Sequence, residues 1–220
     1  MNKKIIIIGG ESFLAKSVKK FLNKNYNICS FSRSESKNNK KNYNLLKITK
    51  DLSKTIHKTE QPIFIFFNSI TDKNIFIKED IKNIEKIINV NLTLPITFTN
   101  LFIKKFFFQK PKFIFMSSSR AKNGDLGITM YSTTKNSLSA FAKNMAFEYG
   151  SYGMNFKVLL LGLFKGGMKN SLSKKTNKKI LNRTFNNDYV NIKSFLRTLE
   201  FAIEDDACNG SDIYCDNGYI

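Results

Sequence analysis

A tyrosine and a lysine that share one helix face are the residues best placed for chemistry in this sequence. Tyr131 and Lys135 are four residues apart and open a segment, through about Glu148, whose apolar residues recur at helical spacing. Residues at this spacing are neighbours on a helix, so the lysine ammonium should lie near the phenol. A nearby cation favours the phenolate and lowers the tyrosine pKa from its usual value of about 10. The pair therefore predicts a general acid or base, although a solvated helix face is the alternative interpretation.

Three consecutive serines could contribute hydroxyl groups to the same site. Ser117, Ser118 and Ser119 close the apolar run 113–116, which is typical of a buried strand. Their hydroxyls would lie at the carboxyl end of that strand, where open α/β sheets bind ligands. Ser118 precedes Tyr131 by thirteen residues. A helix cap or a turn is the alternative role for the serines.

The first strand and helix of the chain are joined by a turn that could hold a phosphate group. The apolar run 5–8 meets Gly9 and Gly10, and a helical pattern follows. Backbone N–H groups at the start of such a helix form an anion site. The dinucleotide fingerprint has three glycines, whereas Ser12 and Ala15 stand at the second and third positions here. The turn fits either a phosphate cradle or an ordinary strand-to-helix connection.

Taken in chain order, these features resemble the short-chain dehydrogenase/reductase family. The order is the glycine turn, Asn68 after the apolar run 62–67, Asn91 on a predicted helix, the serines, then Tyr131 and Lys135. The tail 209–218 also resembles the closing turn, last strand and Asn-Gly ending of the family. The resemblance covers the chain from Lys4 to its last residues. It implies one α/β domain over residues 1–220, doubly wound and Rossmann-type, with a mostly parallel seven-stranded sheet and helices on both faces.

The resemblance also implies catalytic roles for four residues. Ser118, with Ser117 and Ser119 as alternatives, would hydrogen-bond the substrate carbonyl oxygen, which gains charge as hydride arrives. Tyr131 would donate the proton, and Lys135 would lower its pKa and hold the nicotinamide ribose. Asn91 would support a water-linked proton path to the lysine. Asn91 lies in a helix predicted over about 81–108, which Pro95 should kink.

A nicotinamide dinucleotide is the cofactor that the resemblance implies. An acidic residue that would bind the ribose hydroxyls of NAD is absent after the predicted strand Asn27–Phe31, where Ser32 and Arg33 offer a hydroxyl and a guanidinium for a 2′-phosphate. NADP(H) is therefore favoured over NAD(H). The family motif differs here at Ser69-Ile70 and at Gly166, where a threonine usually contacts the nicotinamide. The residues assigned to the cofactor are Gly9, Gly10, Ser12, Phe13, Leu14, Ser32, Arg33, Asn68, Ser69, Tyr131, Lys135 and Gly162.

The expected activity is interconversion of a carbonyl and a secondary alcohol on a small organic substrate. A sugar or sugar-nucleotide of bacterial surface-polysaccharide synthesis is one candidate, and a 3-oxoacyl thioester is the alternative. A short mobile lid at about 166–190 would cover the substrate. The family commonly assembles as homodimers or homotetramers. The alternative of another class is a non-catalytic dinucleotide-binding or scaffold protein, which would explain the eroded motifs.

Composition limits the remaining classes of function. The net charge of +19 is spread along the chain rather than clustered, so we expect no nucleic-acid partner, although a nucleic-acid-binding domain is the alternative. No apolar run is long enough to span a membrane. The three cysteines are unevenly spaced, and His57 is the single histidine, so neither a metal site nor a disulfide framework is expected. These features predict a cytoplasmic protein.

Overall fold

A parallel sheet forms the centre of the fold. The computed structural model describes residues 2–32, 45–72, 74–166 and 173–220, and its strands pair in the order β2-β1-β3-β4-β5-β6. All five pairings are parallel. The strands are β1 (Asn2–Ile8), β2 (Asn27–Phe31), β3 (Glu60–Phe66), β4 (Lys112–Ser118), β5 (Asn155–Leu161) and β6 (Asp212–Cys215). The doubly wound α/β fold is confirmed. The described strands number six instead of the seven expected, and residues 33–44, between β2 and the next helix, lie outside the described residues.

Helices cover both faces of the sheet. They are α1 (Phe13–Leu22), α2 (Leu45–Thr55), α3 (Ile81–Ile88), α4 (Leu94–Phe106), α5 (Ser119–Asn123), α6 (Thr129–Tyr149), α7 (Lys174–Leu181) and α8 (Ile192–Glu204). Alternate residues of β1 enter opposite layers: Ile5 and Ile7 pack with α1 and α8, whereas Ile6 and Ile8 pack with α2, α4 and α6. Burial on both faces explains the continuous apolar runs of the strands. Within the described ranges, none of the helices has both the length and the apolar composition for crossing a bilayer.

Aromatic side chains connect the three strands that carry the site. The rings of Phe64 on β3 and Phe113 on β4 stack at 5.2 Å, and Phe113 stacks on Phe156 of β5 at 5.1 Å. Phe102 of α4 stacks on Phe64 at 4.1 Å. Such cross-strand pairs add stability beyond area burial. They hold β3, β4 and β5 in register, so the polar residues at their carboxyl ends stay at one edge of the sheet.

The predicted helix over 81–108 is interrupted where Asn91 lies. A π-helical turn, Asn89–Thr93, separates α3 from α4, and the N–H of Leu94 donates to the Asn89 carbonyl five residues earlier. Pro95 has no N–H to donate to the carbonyl of Asn91, its partner four residues back. The irregularity predicted at Pro95 is therefore a π turn just before the proline. Turns of this kind are frequent at functional sites.

The predicted mobile lid at 166–190 contains an ordered helix. The side chain of Ser173 caps α7 by accepting a hydrogen bond of 3.1 Å from the N–H of Thr176. Ile180 on the same helix is buried. The cap and the buried apolar position stabilise this helix within the predicted lid. Residues 167–172 of the predicted lid lie outside the described residues.

Candidate active site

Two hydroxyl side chains meet at the carboxyl edge of the sheet. Ser118 is the last residue of β4, and Tyr131 lies in the first turn of α6. Each is 7% exposed. A hydrogen bond from the Ser118 hydroxyl stabilises the phenolate form of Tyr131 and so acts to lower the phenol pKa, against the larger opposing effect of burial. Ser118 and Tyr131 are thirteen residues apart in the sequence, and the structure brings their side chains together.

The neighbouring serines have different surroundings. The Ser117 hydroxyl donates a hydrogen bond of 3.0 Å to the backbone carbonyl of Lys135, so it ties β4 to α6. Ser119 begins α5, and its Oγ is buried without a hydrogen-bond partner among the described residues. Of the three hydroxyls, that of Ser118 is the one that interacts with the Tyr131 phenol.

The pKa of Tyr131 moves in the opposite direction to the sequence prediction. Burial raises the pKa of the phenol above its usual value, and the Ser118 hydroxyl and the positive charge of Arg120 offset part of the rise. The side chains that act to lower the phenol pKa are those of Ser118, Arg120 and Ser69, and Lys135 is not among them. The desolvated phenolate is the costly form, so the phenol keeps its proton at neutral pH.

Lys135 interacts with backbone carbonyls instead of the phenol oxygen. Its ammonium nitrogen Nζ donates to the carbonyl of Met116 at 2.8 Å and to that of Asn68 at 3.5 Å. It lies 6.0 Å from the centroid of the Tyr131 ring. Burial lowers the pKa of Lys135 to about 7, since the charged form loses its hydration. The lysine therefore joins the ends of β3 and β4 and can exchange a proton near neutral pH.

Asn91 fixes the loop that follows β3. Its Oδ1 accepts from the N–H of Ile70 at 2.8 Å, and its Nδ2 donates to the Ile70 carbonyl at 2.8 Å. Nδ2 also donates to Thr134 Oγ1 at 3.2 Å. Asn91 is fully buried, so the π turn, the loop after β3 and α6 are locked together. This places Asn91 beside the predicted site.

Asp72 belongs to the site, although the sequence analysis did not single it out. Its Oδ2 accepts from the N–H of Tyr131 at 3.0 Å, and its Oδ1 accepts from the N–H of Met130 at 3.3 Å. The carboxylate therefore holds the first turn of α6. The available signal was its position four residues after Asn68, at the same edge of the sheet.

Arg120 is a second residue that the sequence prediction missed. Its Nε donates to Asp125 Oδ2 at 2.8 Å, and its Nη2 lies 2.6 Å from the same oxygen. Both side chains are largely buried, at 17% and 22% exposure. Asn136 Nδ2 donates to the Ala121 carbonyl at 2.5 Å, which holds α5 against α6. Arg120 is thus fixed close enough to Tyr131 for its charge to act on the phenol.

The glycine turn packs closely against the end of β3. Gly9 has a φ of 88°, and a Cβ atom there would lie 2.8 Å from the backbone nitrogen of Asn68. Close backbone approach of this kind needs glycine. At the end of β3, Asn68 Oδ1 is buried and unpartnered among the described residues, and the Ser69 hydroxyl lies close enough to Tyr131 to act on the phenol pKa. Together with the N-terminus of α1, the unpartnered Asn68 oxygen fits a nicotinamide dinucleotide.

The other residues assigned to the turn have mixed roles. Gly9 and Gly10 both donate to the Phe31 carbonyl, at 2.9 and 3.2 Å, so these N–H groups bind β2. Ser12 caps α1 by accepting from the N–H of Ala15 at 3.2 Å. Phe13 and Leu14 are the first two residues of α1, where N–H groups lack acceptors within the helix. These two N–H groups are the better candidates for binding a phosphate.

Two assigned residues at other strand ends also differ in role. A Cβ at Gly162 would lie 2.7 Å from Asp216 Cα, so the glycine permits β5 and β6 to end close together. A Cβ at Gly166 would lie 3.0 Å from the Phe13 ring, which packs on that backbone. Ser32 follows β2 directly. Arg33, which carried the NADP(H) prediction, lies outside the described residues.

The sequence is similar to a known family of proteins. The sequence model of the short chain dehydrogenase family matches residues 46–177. The 3-oxoacyl-(acyl-carrier-protein) reductase FabG of Buchnera aphidicola subsp. Baizongia pistaciae (strain Bp) is 32% identical over 122 residues, which are 55% of this chain and 50% of that protein. The chain thus aligns with about half the length of this curated relative.

Solved structures share the fold at low sequence identity. ElxO with NADP bound has a TM-score of 0.84 at 16% identity, over 100% of this chain and 99% of that one. Sorbitol-6-phosphate 2-dehydrogenase SrlD from Erwinia amylovora has a TM-score of 0.82 at 14% identity, over 98% and 99%. 4-hydroxyisoleucine dehydrogenase complexed with NADH has a TM-score of 0.79 at 19% identity, over 98% and 97%. With the family model matching more than half of the sequence, the chain belongs to the short-chain dehydrogenase family.

Proposed function

We propose that this chain is an NADP(H)-dependent oxidoreductase that interconverts a carbonyl and a secondary alcohol on a small organic substrate. The observation that carries the proposal is the buried pair of hydroxyls, Ser118 and Tyr131, at the carboxyl end of β4. A hydrogen-bond donor beside a protonated phenol is the arrangement needed to receive charge on a carbonyl oxygen and then protonate it. The non-catalytic alternative gives no reason for burying these two polar groups together.

In the proposed reaction, Ser118 binds the substrate oxygen and Tyr131 transfers the proton. The Ser118 hydroxyl donates to the carbonyl oxygen, where negative charge develops. Burial raises the pKa of Tyr131, so the phenol is an acid rather than a base at neutral pH. When bound, the nicotinamide supplies or accepts the hydride at the carbinol carbon.

Lys135 and Asn91 have supporting roles in this proposal. With a pKa of about 7, Lys135 can take up or release a proton near neutral pH and so restore the proton that Tyr131 gives up. Its Nζ bonds to the Asn68 and Met116 carbonyls keep it at the strand ends. Asn91 fixes the loop after β3, and in this proposal it supports a water-linked proton path that reaches the lysine.

The cofactor would lie across the strand ends between β1 and β3. The N–H groups of Phe13 and Leu14 would bind the pyrophosphate, and the unpartnered Asn68 Oδ1 would bond a ribose or the nicotinamide. We propose NADP(H) over NAD(H) because Ser32 and Arg33 follow β2 where an acidic residue would otherwise bind the 2′-hydroxyl.

Two substrate classes fit the proposal. A 3-oxoacyl thioester is supported by the name of the curated relative that is 32% identical over 122 residues. A sugar derivative is supported by the fold similarity to sorbitol-6-phosphate 2-dehydrogenase. Turnover of a 3-oxoacyl thioester and of a panel of ketoses and sugar-nucleotides, compared by kcat/KM, distinguishes the two classes.

The proposal includes a homo-oligomer in the cytoplasm. Phe108 after α4 and Phe147 on α6 are each 91% exposed, which is costly for large apolar side chains unless another subunit covers them. Cys208 and Cys215 are free thiols, as is usual in a reducing compartment. Light scattering of the purified protein tests the oligomeric state.

The function is tested by binding and then turnover. NADPH should bind more tightly than NADH in a fluorescence titration, and NADPH oxidation should appear with a carbonyl substrate from the panel. Binding without turnover on any carbonyl would favour the non-catalytic protein. Failure of both dinucleotides to bind would contradict the proposal.

A further inference from the structure

The helix that carries Tyr131 lacks a cap of its own. Ile128 occupies the N-cap position of α6 and makes no side-chain hydrogen bond, and the first turn contains no acidic residue. The N–H groups at the start of a helix have no acceptors within the helix, so they need outside partners when buried. Tyr131 is buried in this turn, and its phenol position depends on how the turn is held.

We propose that Asp72 is a positioning residue for Tyr131. Its two carboxylate oxygens accept the N–H groups of Met130 and Tyr131, at 3.3 and 3.0 Å, from 58 and 59 residues away in sequence. A carboxylate that binds two adjacent N–H groups fixes both the rotation and the height of the first turn, and charge-assisted bonds of this type are strong. The inference rests on the proposed function, because it concerns the placement of the proton donor.

The loop that carries Asp72 is itself anchored to the other site residues. Ile70, two residues earlier, is held by both amide atoms of Asn91 at 2.8 Å. The Asn68 carbonyl accepts from Lys135 Nζ at 3.5 Å. Asp72 therefore connects the start of α6 to the same loop that Lys135 reaches one turn later. The loop also lies next to the glycine turn, because Gly9 packs against Asn68. It thus sets the position of the proton donor relative to that turn.

If Asp72 were only a helix cap, it would stabilise α6 without affecting the proton transfer. The test therefore needs, as a control, an aspartate that caps another helix. Asp80 is that control: its Oδ1 accepts from the N–H of Asn83 at 2.8 Å at the start of α3. Asp72→Ala and Asp80→Ala each remove an aspartate that binds a helix N-terminus. Asp72→Asn retains one acceptor oxygen and should recover part of any loss.

The experiment compares kcat, KM and the NADPH dissociation constant of the wild type and the three variants, with hydrogen exchange of residues 128–135. We expect Asp72→Ala to lower kcat by about ten- to a hundredfold at unchanged NADPH affinity, since small misplacements of a reacting group have effects of this size. Asp72→Asn should be intermediate and Asp80→Ala should match the wild type. Exchange at 128–135 should rise in Asp72→Ala only.

Each result decides the inference. If kcat of Asp72→Ala equals that of Asp80→Ala, the positioning role is wrong. If the wild type itself turns over no carbonyl, the proposed function fails, and hydrogen exchange alone decides whether Asp72 holds the turn of Tyr131. Unchanged exchange at 128–135 in Asp72→Ala would then overturn the inference.

Discussion

The ammonium nitrogen of Lys135 lies 6.0 Å from the ring centroid of Tyr131, and it donates to main-chain carbonyls at the ends of β3 and β4. The two residues share a helix face, as their spacing predicts, yet the lysine charge does not lower the phenol pKa. Burial raises the pKa of Tyr131 and lowers that of Lys135 to about 7. Both groups therefore favour their neutral forms, which suits a site that donates a proton to a carbonyl.

The buried lysine should make the stability of the fold depend on pH. The folded-state pKa of about 7 is below the ordinary value of 10.5, so the unfolded chain binds more protons between these two values. The unfolding free energy of the wild type should therefore rise across this range, by about 1.4 kcal/mol per pH unit at most. Lys135→Met should lack this rise in urea titrations at pH 6, 7.5 and 9.

Lys143→Met is the control for this measurement, because Lys143 is exposed on the same helix. Its unfolding free energy should follow that of the wild type at each pH. A constant difference between the wild type and Lys135→Met from pH 6 to 9 would contradict the lowered pKa.

Removal of the Arg120 charge should raise the pKa of Tyr131 further. The Arg120 guanidinium is the charge that acts to lower this pKa. In Arg120→Gln that charge is gone, so the effect of burial, which raises the pKa, is offset less. Alcohol oxidation needs the phenolate, and its pH-rate profile should shift to higher pH in the variant. Arg197→Gln, on the exposed side of α8, makes the same change in net charge and should leave the profile in place. A shift of equal size in both variants would show a general charge effect.

The fold was largely predictable from the sequence, because it depends on local patterns. The strand Asn27–Phe31 was predicted with the bounds observed, since it lies between two polar stretches. The position of Ser118 beside Tyr131 followed from strand end and helix start. The π turn at Asn91 was not predicted. A proline shows that one helical hydrogen bond is missing, but not which irregular turn the helix adopts there.

The contacts that tune the site were not predictable, because they join distant residues. Asp72 and Tyr131 are 59 residues apart, and no local pattern states which helix an isolated aspartate will cap. The direction of the Tyr131 pKa shift depended on its burial and on where the Lys135 side chain lies. The spacing of two residues along a helix gives neither the burial of Tyr131 nor the position of the Lys135 side chain.

Gly9 should tolerate substitution less well than another glycine of similar backbone conformation. Gly9 and Gly124 have φ values of 88° and 70°, so alanine is strained at both. At Gly124 a Cβ would have no atom within 4 Å, whereas at Gly9 it would collide with Asn68. Gly124→Ala should cost about 1–3 kcal/mol of unfolding free energy, because its φ of 70° and ψ of 146° lie in a region that only glycine readily adopts. Gly9→Ala should cost more and also weaken NADPH binding, as thermal unfolding and titration can check; equal effects would contradict the close approach.

The preference for NADPH should depend on Arg33. A charge-assisted bond to the 2′-phosphate contributes about 1.5–3 kcal/mol, so Arg33→Ala should weaken NADPH binding roughly tenfold or more. NADH affinity should stay the same, because NADH lacks that phosphate. Arg33→Lys should be intermediate, since it keeps the charge without the planar fork. Equal NADPH affinity in the wild type and Arg33→Ala would remove the basis for the cofactor preference.

The central claim is that the Tyr131 hydroxyl transfers the proton, and Tyr131→Phe tests it most directly. The substitution removes one oxygen and keeps the ring that packs in the site. With a carbonyl substrate that the wild type reduces, the account predicts a loss of about 10²- to 10⁴-fold in kcat at unchanged NADPH affinity. Full turnover by Tyr131→Phe would contradict the assignment of the proton donor.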